Sequence, residues 1–251
     1  MRLAYLINDS EQSLSPFFSK RMLSILFNSV LIVCGVLLLF WPWKNLVSFI
    51  SQQKIPLTFF HVCTTTLVIL AYIHLRCGGG EIMKGNYYAS TYSKEVSSLA
   101  MEQNFFKYGL VEFAAYVILL LLPFLPLLIL AASVSVIPLL HFLNACAIVL
   151  ATSFLCRVFG FFIYLVRGRF SSLGYFCSRI FLALYLFATI TLAPAINPIL
   201  NIYRFNKNLQ NIGFFVENAL LFYVTTLGAS SVFIALNYFL IRRHLRKSGS
   251  E

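Results

Sequence analysis

Residues 108–132 read YGLVEFAAYVILLLLPFLPLLILAA, with a single charged side chain, Glu112, in the whole stretch. A helix needs about 20 apolar residues to cross the hydrocarbon of a bilayer. A membrane-spanning strand would instead alternate polar and apolar residues. An unbroken apolar stretch in lipid must also satisfy its own backbone, which a helix does internally. This stretch therefore predicts a transmembrane helix and sets the fold class as all-α.

Five more apolar runs flank it, at Met22–Phe40, Ile55–Leu75, Val136–Val166, Ile180–Ile196 and Phe214–Ile241. The chain reads as one transmembrane domain, a bundle of six spanning helices within 251 residues. The composition agrees, with 60% hydrophobic and 11% charged residues, against about a quarter charged in soluble domains. Mean hydropathy is +0.84. The runs 136–166 and 214–241 exceed what the hydrocarbon requires, so they tilt or extend into the cytosol.

The net charge of +11 does not indicate nucleic acid, because the basic residues sit in short clusters between apolar runs. With the N-terminus in the cytosol, 15 of the 19 Lys and Arg fall on the inner side and 4 (Lys44, Lys54, Arg204 and Lys207) on the outer. The positive-inside rule then predicts that both termini are cytosolic. The expected location is a cell membrane, most simply a bacterial inner membrane. An acidic, polar stretch with Asp9 and Glu11 precedes the first run, and no small-x-small cleavage site follows it. That run is expected to stay as an anchor. Six cysteines fall within apolar runs or beside basic clusters and are expected as free thiols.

Outer loops are short, and Asn197–Gly213 is expected as one of them. The largest soluble piece is the inner loop Arg76–Lys107. It opens on Gly78-Gly79-Gly80, read as a flexible break. Ser93–Phe106 then reads as a short amphipathic helix with Val96, Leu99 and Phe106 near one face. Ser15-Pro16 has the form of a helix start leading through Phe17–Arg21 into the first span.

Polar residues inside the runs are the candidate functional groups, because lipid makes them costly. They include His61, Glu112, His141 and Asn144. Two uses are open to them: lining a solute path, or hydrogen-bonding helices together. Arg157 falls about 20 residues into the fourth run, where it is expected to snorkel to the cytosolic boundary. His61 and His74 are thirteen residues apart, about 20 Å along one helix. With ligands at about 2 Å from a metal, these residues and Cys63 and Cys77 do not form one site. No metal, cofactor or catalytic group is assigned.

Gly228-Ala229-Ser230-Ser231 resembles the Gly-x-Ser turn of rhomboid-type intramembrane proteases, but only His244 follows, in the basic tail. Helix packing by small residues is the simpler use of this stretch. There is no Gly-x-x-x-x-Gly-Lys-Ser/Thr loop, so the chain has no ATP site of that kind.

Taken together, the layout resembles the membrane subunit of type-two ABC exporters. The matching features are the entry segment before the first span, the long inner loop between spans two and three, and Lys107 at the start of the third. The Pro194-to-Pro198 break after the fifth and the basic tail Arg242–Lys247 also match. The resemblance implies a permease subunit, not itself an enzyme, that pairs as a homo- or heterodimer and works with a separate cytosolic ATPase. That ATPase would dock on Val96, Leu99 and Phe106. The alternatives from other classes are a non-enzymatic membrane scaffold or assembly factor, and an intramembrane enzyme.

Overall fold

The computed structural model describes residues 20–41, 57–78, 110–167, 172–207 and 212–248. Every regular element among them is helical: α1 (Lys20–Leu39), α2 (Leu57–Gly78), α3 (Leu110–Leu121), a 3-10 turn (Leu122–Phe124), α4 (Leu125–Val134), α5 (Leu139–Arg167), α6 (Ser172–Ala183), a π turn (Leu184–Ala188), α7 (Thr189–Leu192), α8 (Pro198–Lys207) and α9 (Ile212–Ser248). Among the described residues five helices are long and apolar enough to cross a membrane: Met22–Leu39, Leu57–Gly78, Phe113–Val134, Leu139–Val166 and Ala219–Arg242. A shorter apolar helix covers Phe176–Leu192. This all-helical architecture is that of a multi-pass membrane protein.

Local chemistry explains the interruptions. Pro123 and Pro126 cannot donate backbone hydrogen bonds, so the third apolar stretch tightens into a 3-10 turn. There the N–H of Leu125 donates to the carbonyl of Leu122. Helix α4 ends in a Schellman motif: the N–H of Ile137 donates to Ala132 O (3.0 Å) and that of Val136 to Ser133 O (3.2 Å). Pro138 then starts α5, and its carbonyl accepts from the N–H of His141 (3.0 Å) and of Phe142 (3.1 Å).

The centre of the fold is the α2–α5 pair. These helices run parallel. Near their N-terminal ends the Phe59 N–H donates to Ser135 Oγ (3.1 Å), and the Phe59 and Phe142 rings lie 6.2 Å apart. At the other end Gly78 meets the backbone of Arg157 and Phe161. Helix α9 is parallel to α5 as well. Tyr223 OH donates to Asn144 Oδ1 (2.8 Å) and Asn237 Nδ2 to Val158 O (3.1 Å), both across 79 residues of sequence. The shared offset fixes one register along the pair.

The other helices run the opposite way. The end of α1 meets the start of α2, where Thr58 Oγ1 donates to Phe40 O (2.5 Å). Phe113 and Tyr116, early in α3, lie beside Arg157, whereas Ser135 just past α4 lies beside Phe59. Phe181 in α6 stacks on Phe159 at 3.7 Å, and Tyr185, one turn on, faces Thr152, further back along α5. The chain thus traverses the bundle in alternating directions between an Arg157 end and a Ser135 end.

Part of the stretch expected as an outer loop is helical. Asn197 and Pro198 provide the start of α8: Pro198 needs no amide partner at the first position, and the Leu200 N–H donates to Asn197 Oδ1 (2.8 Å). Helix α8 closes over the Ser135 end, with Tyr203 set edge-on to Phe60 at 5.5 Å and Ile202 buried.

Gly78 is likewise not a loop residue. It is the last residue of α2 and is fully packed. Gly228 shows the reverse. A Cβ there would meet nothing within 4 Å, so it is not the close-packing residue that its neighbourhood of small side chains suggested. All six cysteines carry free thiols.

Candidate functional site: a buried Arg157–His74 centre

Among the described residues Arg157 is the largest fully buried side chain, 1% exposed. It lies eighteen residues into α5, about 27 Å along the helix by its rise. At that depth a lone arginine would extend to the membrane boundary. Here it does not, and three neighbours explain why. The guanidinium carbon lies 4.5 Å from the Tyr116 ring centroid and 5.1 Å from that of Phe113, so α3 covers it with aromatic faces. Gly78 brings α2 against the Arg157 backbone. His74 of α2, 0% exposed, is close enough to the guanidinium to interact with it electrostatically. The expectation that Arg157 snorkels is therefore corrected: tertiary packing encloses it.

Hydrogen-bonding capacity at this centre is left over. Among the described residues, Arg157 Nε and Nη1 have no hydrogen-bond partner, nor do either ring nitrogen of His74 or the hydroxyl of Ser153. Ser153 is buried and sits four residues before Arg157, hence on the same face of α5. Two cation–π contacts stabilise a desolvated guanidinium by about 2 kcal/mol each. They do not replace the hydrogen bonds it made in water, whose loss costs several kcal/mol. The centre is rich in donors and short of acceptors.

A second polar group lies nearer the Ser135 end. The Tyr185 hydroxyl, itself buried on the π turn, faces Thr152 and Thr226, which are both buried. π turns inside helices frequently accompany functional sites.

The residues singled out in the sequence are distributed differently. His61 is half-buried, stacked on Phe40 at 3.8 Å and edge-on to Phe60 at 5.3 Å. It lies about 20 Å along α2 from His74, by the helical rise. His141 is buried in the first turn of α5. Asn144 accepts the Tyr223 hydrogen bond with its side-chain oxygen, and its backbone carbonyl is 3.3 Å from the same hydroxyl. Asn144 therefore joins two helices. Glu112 belongs to α3 by its backbone, and its side chain lies outside the described residues, as do Val96, Leu99 and Phe106.

Ser230 is buried and its hydroxyl donates to Thr226 O (2.8 Å), one helical turn back. That is ordinary satisfaction of a helical serine. Among the described residues no group of three or more His, Cys, Asp and Glu converges to hold a metal ion.

Sequence reasoning gave Arg157 no role beyond snorkelling, weighed His74 only as a metal ligand, and did not consider Ser153. A signal was present: Arg157 is the only charged residue between Val136 and Val166, and an ionisable residue inside an apolar run is a functional candidate by default.

No protein-family model, no curated protein and no solved structure matches this chain.

Proposed function

We propose that the chain is a six-span membrane permease with both termini in the cytosol, acting as the membrane subunit of an ATP-driven exporter beside a separate ATPase. The buried Arg157 carries this reading. Ionisable side chains held inside a helical membrane bundle mark solute and ion pathways, and Arg157 is enclosed by α2, α3 and α5 rather than turned to lipid. The alternating helix directions support six crossings, with Phe176–Leu192 as the short one. The excess of Lys and Arg on the Arg157 side supports placing that end in the cytosol. The ATPase would bias the bundle between inward- and outward-facing states by binding one better than the other. Its docking surface would be the inner loop with Val96, Leu99 and Phe106.

Affinity purification of the full chain from its native source tests the pairing. An ATPase is expected to co-purify, and replacing Leu99 and Phe106 with Asp is expected to release it. If no ATPase is ever captured and the loop substitutions change nothing, the exporter reading fails.

A second reading, a non-enzymatic scaffold, is favoured by Asn144, whose side-chain oxygen is taken up by Tyr223. A scaffold keeps its assembly activity when Arg157 is replaced by Gln in a folded protein. A permease loses transport.

A further inference from the structure

We propose that the Arg157–His74 centre binds an oxyanion, a phosphate- or carboxylate-type group, and that this group is the recognised part of the solute. Arg157 offers Nε–H and Nη1–H, one on each side of a planar guanidinium, and neither has a partner among the described residues. Each is a charge-assisted donor of the kind that carboxylate and phosphate oxygens accept. Ser153 adds a hydroxyl donor from the same face of α5, and His74 adds a ring N–H from α2, again without partners. All three side chains are buried. A cation as ligand would meet the positive charge of Arg157. A neutral apolar ligand would leave every one of these donors unsatisfied, at about 1–3 kcal/mol each. An acceptor-rich anion suits them all.

The aromatic walls supply the rest of the environment. Phe113 and Tyr116 cover the guanidinium and hold it away from water. In such surroundings a charge-assisted hydrogen bond is stronger than at a surface. Gly78 is what allows α2 to bring His74 this close, since a side chain at that position would strike the Arg157 carbonyl. Enclosure at 1% exposure means that the anion enters when the helices separate, as they do in alternating access.

The inference rests on the permease reading for its meaning, and the two fail differently. Saturable anion binding without transport in vesicles removes the permease and keeps the site. Transport of a cationic or neutral solute removes the site and keeps the permease.

Binding is measured on the full chain in maltoside detergent, which contains no oxyanion, by titration calorimetry and by the midpoint of thermal unfolding. Inorganic phosphate is one probe and phosphatidylglycerol the other, with sodium chloride at matched ionic strength as reference. A ligand that binds only the folded protein raises the midpoint as its concentration passes Kd. Saturation by phosphate assigns the site to a free solute. Saturation by phosphatidylglycerol alone assigns it to a lipid headgroup.

Arg157→Gln is expected to weaken binding by about tenfold or more, as expected for charge-assisted hydrogen bonds. Arg157→Lys should also weaken it, because an ammonium lacks the guanidinium's fixed planar set of donors. Where the Arg157 variants fail to fold, His74→Gln and Ser153→Ala give the same readout with a smaller loss. Three results overturn the proposal: no saturable binding of either probe, a shift no larger than chloride produces, or wild-type affinity in every folded variant. Binding that appears only in Glu112→Gln also overturns it, because a carboxylate of the chain itself then fills the site.

Discussion

Gly78 lies so close to Arg157 that a Cβ built on the glycine would stand 2.2 Å from the Arg157 carbonyl oxygen and 2.9 Å from the Phe161 amide nitrogen. The obstacle is backbone within α5, which does not move aside as a flexible side chain does. Gly78→Ala must therefore push α2 away from α5 at the level of the buried guanidinium. Overpacking in a close-packed interior costs about 1–3 kcal/mol. The expected outcome is a loss at the upper end of that range, read as a lower thermal midpoint in detergent. Gly228→Ala is the control, since a Cβ there touches nothing within 4 Å. Equal midpoints for the two variants would contradict this packing.

Asn197 links three pieces of chain at the Ser135 end. Its Oδ1 accepts from the Leu200 N–H at 2.8 Å, and its Nδ2 donates to Leu186 O at 2.9 Å and Thr189 Oγ1 at 2.7 Å. It therefore caps α8 and also partners a carbonyl of the π turn. The residue is 0% exposed, so water does not take over either role. Asn197→Ala removes a helix cap worth about 1 kcal/mol and leaves a buried carbonyl unpartnered at about 1–3 kcal/mol. We expect faster amide hydrogen exchange over residues 184–207, with α1 unaffected. Unchanged exchange in that segment would show that the cap is dispensable.

The apolar helices were legible in the sequence because lipid imposes a length and a composition on each one separately. Residues 108–132 needed no knowledge of any other segment to be read as a helix. Arg157 is different. Whether an arginine near a helix end snorkels or is enclosed depends on which side chains other helices bring to it. Phe113 and Gly78 are distant in sequence from it and from each other. Gly78 had the same difficulty, since a glycine beside two more glycines reads as a break until its neighbour in space is known. Helix α8 was missed because its short apolar face follows two prolines and carries several polar residues. Its stability comes from the Asn197 cap and from Tyr203 meeting Phe60. The polar residues that were picked out, His61 and Asn144 among them, belong to helix contacts near the other end of the bundle.

The hydrogen bond from Tyr223 OH to Asn144 Oδ1 at 2.8 Å holds α9 against α5 in the register that Asn237 and Val158 repeat further along. A double-mutant cycle on Asn144→Ala and Tyr223→Phe isolates that bond. Interhelical polar pairs of this kind average about 0.6 kcal/mol, with a maximum of about 1.7. A coupling energy within that range is expected from reversible unfolding in mixed micelles. Both side chains also pack apolar neighbours, so each single change should cost more than the coupling alone. A coupling of zero would mean that the pair is in proximity without being bonded.

Val136 adopts a φ of 53°, in the left-handed region that a β-branched residue rarely enters. The conformation is imposed by the Schellman closure of α4, in which the residue at this position turns the chain back and is usually glycine. Its side chain is 58% exposed, so little packing depends on it. Holding an L-residue with a Cβ in this region costs about 1–2 kcal/mol. Glycine relieves that strain but loses more backbone entropy on folding, an opposing effect of about 0.5–1 kcal/mol. Val136→Gly is therefore expected to raise stability by a few tenths of a kcal/mol to about 1 kcal/mol, seen as a higher thermal midpoint. Val136→Asn should fall between the two, since asparagine tolerates this region better than valine and worse than glycine. A fall in midpoint with glycine would mean that the valine methyls contribute more, for example by contact with lipid at the mouth of the α4–α5 hairpin, than the strained backbone costs.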